Sequence, residues 1–527
     1  MANKNILMIE PGYKNKYPPL GLMKLAAYHG PDGKRDNVRF IKGASDRSVF
    51  DIAWDRIYIT TLFSFEWKTI EKAIDFAIDV SRNRRNTIFV GGIAASLMTD
   101  QFVEVPKWRG IRFIKGLLSG SPARALQLDD FAEELYSEDN SGTPIEDLIP
   151  DYSILDQIKD QYVYPVNDAY FAYASRGCVR KCHFCGVPKL EGAQRDALPI
   201  TGVVEGINRR FGPKKDLMLM DNNIAASKHF KNIIAEIRDL GFVPGSTLKR
   251  GRVPIQRRVD FNQGVDARIL CKDKMYLREM STICLKPLRI AFDHIGVRKP
   301  YEAAIRFAHE YGLDDLSNYM LYNFHDTPED LYQRMRINID LNVQLGIRIF
   351  SFPMRFQPTD MKDRSHVGPN WTRYQLRSMQ IILQATHGIV SGSPSFFKEA
   401  FGESVEEFER LLALPQHFLF NRIWYKDFGG RPEFEEFDRM YRKLGASARN
   451  ELLTLLSGST PSEFAGLRER TSTNDVASIL RFYIPPPKNE EAKIWEKMRD
   501  ARRVKAASVL AIPADELVED ANLAEVV

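Results

Sequence analysis

Hydrophobic and polar residues alternate along residues 1–120 with two different periods. Apolar runs of strand length lie at Ile6–Glu10, Val38–Ile41, Arg56–Thr61, Thr87–Val90 and Ile111–Ile114. Between them, Leu20–Tyr28 and Lys68–Val80 place apolar residues at helical spacing. Strands that alternate with helices favour a parallel sheet, with ligands at the carboxyl ends of its strands. The pattern therefore predicts a doubly wound α/β domain over residues 1–120.

A second alternation follows an acidic, turn-rich stretch, residues 121–166, which we interpret as a linker. Strand-like runs lie at Tyr170–Ser175, Leu217–Met220, Arg258–Asn262, Leu288–Phe292, Tyr319–Asn323 and Ile347–Phe352. Helical patterns fit between these runs, so residues 167–365 are predicted to form a partial (β/α)6 barrel. Helical signals dominate residues 366–527, for which we predict a mostly helical C-terminal region.

Composition and charge restrict the class of protein. The chain of 527 residues is too long for one compact domain, and its 44% hydrophobic and 27% charged residues are ordinary for a globular protein. A formal net charge of +5 does not indicate a nucleic-acid binder. No apolar run approaches the length of a membrane span or of a signal peptide, so we expect a cytoplasmic protein without a membrane partner.

The cysteines are the most informative residues of the chain. There are five, and three of them, Cys178, Cys182 and Cys185, lie on one short segment. Such clustering indicates a metal site rather than a disulfide framework. Three thiolates on one loop can bind three irons of a cubane cluster and leave the fourth iron open to a small molecule. The alternative is a zinc site that adds His183, although zinc ligands usually come from two separated segments.

The segment Cys178-x-x-x-Cys182-x-Phe184-Cys185 resembles the signature of the radical S-adenosylmethionine (SAM) superfamily, with an aromatic residue before the last cysteine. The resemblance implies a 4Fe-4S cluster whose open iron chelates SAM. It also implies reductive cleavage of SAM to a deoxyadenosyl radical, which abstracts hydrogen from a substrate that the sequence does not identify. An electron donor such as a flavodoxin or a ferredoxin is implied as a partner.

The same resemblance assigns contacts with the cofactor to seven residues. They are Phe184, Asp221, Asn223, Gln263, Asp266, Arg268 and Asp293. Asp221 and Asn223 end the second strand, where relatives place a motif for the methionine amino group of SAM, and a helix N-cap is the alternative. The segment from Gln263 to Arg268 resembles one that faces SAM, and a buried structural network is its alternative. Asp293 follows the fourth strand, where relatives often have a glutamate.

The amino-terminal region resembles a subgroup of the same superfamily, on the segments Pro11-Gly12 and Val90–Ser96. In that subgroup a Rossmann-like domain precedes the barrel, and cobalamin lies between the two. The Asp-x-His-x-x-Gly motif of other cobalamin proteins is missing here, as it commonly is in the subgroup. Gly91 and Gly92 permit a close approach of a ligand and equally suit a tight turn. Bound cobalamin, and with it methyl transfer, stays open from the sequence.

A basic run precedes the third strand of the second alternation. It consists of Lys249, Arg250, Arg252, Arg257 and Arg258. The run could bind phosphate or nucleic acid, although charge runs are usually solvated and no aromatic residues are interleaved with this one. Two functions therefore stay open: a radical SAM enzyme, and a non-catalytic zinc- or cluster-containing protein that binds nucleotides or nucleic acid.

Overall fold

A computed structural model describes residues 3–118, 144–197, 199–487, 489–490 and 492–500. The described residues form two compact units. The first unit lies within Met1–Phe292, Val297–Tyr319 and Phe356–His366, and the second within Asp293–Gly296, Met320–Arg355 and Val367–Val527. Much of the predicted linker and the end of the predicted C-terminal region fall outside the described residues.

The first unit begins with a five-stranded parallel sheet in the order β2-β1-β3-β4-β5. Its strands are β1 (Asn5–Glu10), β2 (Asn37–Lys42), β3 (Arg56–Thr61), β4 (Ile88–Gly92) and β5 (Arg112–Phe113). The helices are α1 (Leu20–His29), α2 (Trp67–Val80), α3 (Ile93–Leu97) and α4 (Thr99–Val103). This order is doubly wound, and its topological switch point, where ligands usually bind, lies between β1 and β3.

Helix α2 shows why the hydrophobic pattern determines this layer. Trp67, Ile70, Ile74 and Ala77 recur at helical spacing, and all of them are buried in the core of the sheet. Such a stripe covers one face of a helix. Full burial of a large apolar side chain is worth roughly 2 kcal/mol, so the stripe fixes which face of α2 packs on the strands.

The described part of the predicted linker packs against the first sheet. A 3₁₀ helix lies at Ile145–Asp147 and a short helix, α5, at Ser153–Asp156. Ile145 and Ile154 are buried, and the side chain of Gln157 accepts a hydrogen bond from the backbone N–H of Phe40 at 2.9 Å. Residues 144–166 therefore contribute to the core of the first unit.

Two three-stranded sheets follow. The first has the order β12-β9-β6 and the second β13-β14-β15. Their strands are β6 (Ala169–Ala172), β9 (Asp216–Leu219), β12 (Val259–Asp260), β13 (Leu288–Arg289), β14 (Asp315–Tyr322) and β15 (Arg348–Arg355). Single parallel bridges, Val259 to Leu285 and Val265 to Ile290, join neighbouring edges. The strands overlap those predicted from hydropathy, and their parallel pairing confirms the α/β class.

The remaining elements of these sheets are helices and two antiparallel hairpins. The hairpins are β7 (Ser175–Arg176) with β8 (Arg195–Asp196) and β10 (Thr247–Arg250) with β11 (Val253–Gln256). The helices are α6 (Val187–Leu190), α7 (Ile200–Phe211), α8 (Phe230–Asp239), α9 (Ala267–Leu270), α10 (Met275–Met280), α11 (Arg298–Glu310) and α12 (Pro328–Leu345).

The rest of the second unit is helical. Its helices are α13 (Arg373–Ala385), α14 (Pro394–Phe401), α15 (Val405–Ala413), α16 (Gln416–Phe420), α17 (Arg422–Asp427), α18 (Arg431–Lys443), α19 (Ala446–Ser457) and α20 (Asn474–Ile479). A 3₁₀ helix at Pro461–Arg470 lies before the last of them. Within the described residues, no helix has both the length and the apolar character needed to cross a membrane.

Candidate functional site

The three clustered cysteines lie on a loop closed at its base by the β7–β8 hairpin. Ser175 pairs with Asp196 and Arg176 with Arg195. The backbone N–H of Cys178 donates to the carbonyl of Gly192 at 3.3 Å, which closes the loop further. The intervening residues are thereby held at both ends, although they contain only one short helix, α6.

Gly177 makes this closure feasible. Its φ is +74°, a left-handed conformation that a side chain disfavours. A Cβ atom at this position would lie 2.2 Å from the carbonyl oxygen of Ala193. The two ends of the loop approach so closely that a glycine is required directly before the first cysteine.

The loop presents its sulfurs in a form that suits a cluster. All three cysteines are half-buried, and none of them forms a disulfide. Backbone N–H groups of Arg180 and Val187 donate to the Sγ atoms of Cys178 and Cys185, each at 3.4 Å. Amide hydrogen bonds to sulfur stabilise thiolates and tune the reduction potential of iron–sulfur clusters. The donor set and its hydrogen bonds therefore fit a cubane held by three thiolates.

The zinc alternative depends on His183, which is exposed on the same loop. Zinc would bring its ligands within about 2.0–2.3 Å of one ion. Among the described residues, no three His, Cys, Asp or Glu side chains are grouped in a way that could hold a single metal ion. A cubane does not require such a group, because each sulfur binds a different iron.

Asp221 braces the strand that leads into the loop. Its carboxylate accepts hydrogen bonds from the N–H of Ala174 at 3.0 Å and from the N–H and hydroxyl of Ser175, the latter at 2.7 Å. Burial raises its pKa to about 6, against the lowering effect of these hydrogen bonds. The carboxylate does not cap a helix, and both of its oxygens are already used by the chain.

Asn223 follows Asp221 by two residues, and its side-chain oxygen remains available as an acceptor. The residue is buried, and its Oδ1 atom has no hydrogen-bond partner among the described residues. The Nε2 atom of Gln194 donates to the hydroxyl of Ser175 at 3.1 Å and to the carbonyl of Asn223 at 3.3 Å. Gln194 lies on the returning arm of the loop, and no feature of the sequence distinguishes it. Asn223 is thus better placed than Asp221 to accept a bond from a ligand.

Asp266 connects the middle of the cysteine loop to the segment after β12. Its Oδ2 atom accepts from Nε of Arg180 at 2.6 Å, and its Oδ1 atom accepts from the N–H and Nε of Arg268 at 2.9 and 2.8 Å. Burial raises the pKa of the Asp266 carboxyl, but hydrogen bonds from Arg268 and Arg180 outweigh it and the pKa is lowered. The charged form of Asp266 is therefore favoured, and it forms ion pairs with both Arg180 and Arg268.

The other predicted cofactor residues are placed as follows. Phe184 is half-buried on the loop between the second and third cysteines. Gln263 is exposed after β12, beyond Asn262, whose Oδ1 accepts a hydrogen bond from the hydroxyl of Tyr17 at 2.7 Å. Asp293 belongs to the second unit, where it is half-buried. Their contacts with a cofactor stay predictions.

A buried polar network behind the loop escaped the sequence analysis. The guanidinium of Arg176 lies 3.4 Å from Glu146 and 3.6 Å from Glu191, and it stacks on the ring of Tyr173 at 3.9 Å. Glu191 also accepts from the N–H of Gly177 at 2.8 Å. The network ties both arms of the loop to residues 144–166. It joins parts of the chain that are far apart in sequence, so no local motif reveals it.

The two ends of the carboxyl edge of the first sheet differ: a buried ion pair lies at one end, and an exposed aromatic residue lies at the other. At β1 and β2, Glu10 and Lys42 form a buried ion pair of 2.7 Å. At β3 and β4, Gly92 has a φ of +99°, and a Cβ there would lie 2.4 Å from the carbonyl oxygen of Thr61. Beyond the switch point, the rings of Phe63 and Phe65 stack at 5.2 Å, and Phe63 is 38% exposed. The guanidinium of Arg364 lies over the ring of Phe65 at 4.2 Å, so Phe63 supplies the exposed aromatic surface at this end.

No protein-family model matches the sequence, and no curated protein matches it significantly. The chain is similar to a radical SAM methyltransferase, TsrM from Kitasatospora setae, solved with cobalamin and a 4Fe-4S cluster bound. The identity is 16% over 68% of this chain and 77% of that chain, with a TM-score of 0.46. A structure of TsrM with tryptophan substrate and a SAM analogue matches at 14% identity over 78% and 89%, with a TM-score of 0.46.

The chain is also similar to OxsB, a cobalamin-dependent SAM radical enzyme. The identity is 13% over 97% of this chain and 81% of that chain, with a TM-score of 0.49. Of these two proteins, TsrM is a radical SAM methyltransferase solved with cobalamin bound and OxsB is a cobalamin-dependent SAM radical enzyme. With these identities and with TM-scores below 0.5, the likeness does not extend to the function of this chain.

Proposed function

We propose that this protein is a radical SAM enzyme whose 4Fe-4S cluster is held by Cys178, Cys182 and Cys185. The observation that carries the proposal is the loop itself: three half-buried thiols between hydrogen-bonded ends, with backbone N–H groups directed at two of the sulfurs. When bound, the cluster and SAM supply one-electron reductive cleavage of a carbon–sulfur bond, and with it a radical that removes hydrogen from a substrate.

The residues of the chain bind and orient these groups. Three cysteines for four irons leave one iron without a protein ligand, which is the position that SAM requires. Arg180 adds positive charge beside the sulfurs, and its bond to Asp266 holds the loop against the segment after β12. The unpartnered Oδ1 of Asn223 suits the amino group of SAM, whereas Asp221 keeps the strand before the loop in place. Phe184, Gln263, Arg268 and Asp293 stay proposed cofactor contacts.

Anaerobic reconstitution with iron and sulfide tests the proposal. The wild-type protein is expected to bind about four irons per chain and to release deoxyadenosine from SAM when a reductant is added. Alanine at any one of the three loop cysteines should abolish deoxyadenosine formation. Cys271→Ala and Cys284→Ala are matched controls, because both residues are half-buried free cysteines outside the loop. Stoichiometric zinc without deoxyadenosine would contradict the proposal and favour a non-catalytic protein. Loss of activity in the control variants would contradict the assignment of the cluster to the three loop cysteines.

For the amino-terminal sheet we propose a corrinoid site, with methyl transfer as the reaction that it would serve. The doubly wound order places the switch point at the ends of β1 and β3, and the exposed Phe63, stacked on the half-buried Phe65, lies directly beyond it. Purification with added cobalamin should retain about one corrinoid per chain, as a single switch point predicts. Phe63→Ala should reduce that retention, and Phe50→Ala is a control elsewhere in the same unit. Absence of corrinoid would leave this sheet as a scaffold or a substrate module.

The proposal extends to the electron donor and the compartment. A reduced flavodoxin or ferredoxin would supply the electron, and the basic side chains beside the cysteines would steer a donor of opposite charge towards the loop. Free cysteines support a reducing compartment, so we place the protein in the cytoplasm. Deoxyadenosine formation with a purified flavodoxin system in place of a chemical reductant checks the first point.

A further inference from the structure

A cavity of about 370 Å³ lies at the amino ends of β6, β9, β12 and β13. The residues directly before or at the start of these strands line it, including Asp168, Lys215, Arg258 and Lys286. Parallel pairing places all these ends at the same edge, opposite to the edge from which the chain continues to the cysteines. The cavity is therefore separate from the proposed SAM site, and ligands of β/α barrels bind at the other edge.

The lining of the cavity is rich in cations. Five basic side chains contribute to it: Lys16, Lys215, Arg258, Lys286 and Arg289. Three of them have carboxylate partners. Arg289 makes two hydrogen bonds to Asp260, at 2.8 and 2.7 Å. Lys215 lies 3.1 Å from Asp216, and Lys286 lies 3.1 Å from Asp315. These pairs neutralise much of the charge and fix the side chains that carry it.

Lys16 and Arg258 are the exceptions. Within the part of the chain that the structure describes, neither side chain forms an ion pair. Burial and the charge of Arg289 lower the pKa of Lys16, although Asp260 raises it. The carboxylate that acts on the ammonium of Lys16, Asp260, is already hydrogen-bonded to Arg289, so Lys16 has no ion-pair partner of its own among the described residues.

Two arginines of the basic run noted in the sequence are already engaged within the fold and do not add free positive charge to the cavity. Arg250 forms two hydrogen bonds with Asp168, at 2.7 and 3.1 Å, so the third carboxylate of the cavity is already paired. Arg257 stacks on the ring of Phe242 at 3.6 Å. Both arginines are occupied by the fold. Arg258 is left to face the cavity, and Arg252 lies at the tip of the β10–β11 hairpin, outside the lining.

We propose that this cavity binds a small organic phosphate, with Lys16 and Arg258 holding the phosphate group. Two cations that form no ion pair with a described residue match the two charges of a phosphate monoester, and arginine and lysine are its usual protein partners. The volume lies in the range of small-molecule sites and exceeds what a phosphate group alone fills, so an organic part is accommodated as well. This inference goes beyond the proposed radical function and does not depend on the cluster.

Isothermal titration of the full chain with glycerol 3-phosphate tests it, with inorganic phosphate and glycerol as comparison probes. We expect saturable binding of one glycerol 3-phosphate per chain, weaker binding of inorganic phosphate, and none of glycerol. Lys16→Gln and Arg258→Gln should each weaken binding by roughly tenfold or more, because each removes a charge-assisted contact. Arg252→Gln is the matched control and should bind as the wild type does. Melting curves of all variants establish that they are folded.

Several results would overturn the inference. One is the absence of saturable glycerol 3-phosphate binding by the wild type at millimolar concentration. Another is unchanged binding in the folded Lys16→Gln and Arg258→Gln variants. Equal weakening in Arg252→Gln would show that general surface charge, and not the cavity, attracts the anion. Equal affinity for inorganic phosphate would refute the organic part of the ligand.

Discussion

The link between Asp266 and the cysteine loop can be tested by separating its two roles. Asp266 accepts the N–H of Arg268 and so caps α9, and its carboxylate also binds the side chain of Arg180 in the loop. Asp266→Ala removes both interactions. Asp266→Asn keeps an oxygen that can cap the helix, because asparagine is as good an N-cap as aspartate. The asparagine variant therefore isolates the ion pairs.

The magnitudes follow from these contacts. Loss of a helix cap costs roughly 1 kcal/mol. The Asp266 side chain is buried, but those of Arg180 and Arg268 are 37% and 44% exposed, so solvent limits the two ion pairs together to about 1 kcal/mol. We expect Asp266→Ala to lower the free energy of unfolding by about 2 kcal/mol and Asp266→Asn by about 1 kcal/mol. If the ion pair holds the loop, its loss should raise the rate of iron release by roughly fivefold in both variants.

The assay measures two quantities on cluster-loaded protein. Chemical denaturation gives the free energy of unfolding, and the decay of the visible cluster absorption in the presence of a chelator gives the rate of iron release. Asp273→Ala is the matched control, because the Asp273 carboxylate accepts the N–H of Met275 at 2.8 Å in a similar local turn but is exposed and forms no ion pair with the described residues of the loop.

The two variants decide the question together. Rapid iron release in both, with wild-type release in Asp273→Ala, is the expected result. If Asp266→Asn released iron at the wild-type rate while Asp266→Ala released it rapidly, the cap alone would matter. The reasoning that assigns loop fixation to the Arg180 pair would then be refuted.

Three further predictions concern stability and are checked by thermal or chemical denaturation. Gly177→Ala should lower the free energy of unfolding by well over ~2 kcal/mol, because backbone strain adds to an overlap with a backbone oxygen. Gly192→Ala, at φ +75° in open space, should lower it by roughly 1–2 kcal/mol. Equal losses in the two variants would contradict this reasoning. Burial lowers the pKa of His29 from 6.5 to about 4, outweighing its hydrogen bond to Asp36. The contribution of neutral His29 to the free energy of unfolding is therefore fully present above pH 6.5 and is lost as the pH falls through 4. Between these pH values the wild type should lose about 3 kcal/mol more than His29→Gln does. Parallel pH profiles of the two proteins would refute this prediction. Thr327→Ala should lose about 1 kcal/mol by removing the capping box of α12, and no change would contradict that role.

The periodicity of the chain determined most of its secondary structure. The amphipathic stripe of α2 and the apolar runs of β1 and β9 are local features. The free energy gained by burying their apolar side chains does not depend on which compact arrangement buries them. The cysteine motif is local as well, because three ligands within eight residues need no distant segment to form a site. Strand–helix alternation further limited the sheets to parallel pairing.

The tertiary structure alone decided which polar side chains are bonded within the chain and which keep a group available. Asp221 and Asn223 are two residues apart and both polar. The Asp221 carboxylate accepts the N–H groups of Ala174 and Ser175, whereas the Oδ1 of Asn223 has no hydrogen-bond partner among the described residues. The ion pair of Arg180 with Asp266 and the surplus charge at Lys16 likewise depend on residues that the fold brings together from distant parts of the sequence. Such contacts depend on strand register and on which face a side chain occupies, and hydrophobic periodicity does not specify which polar groups will meet.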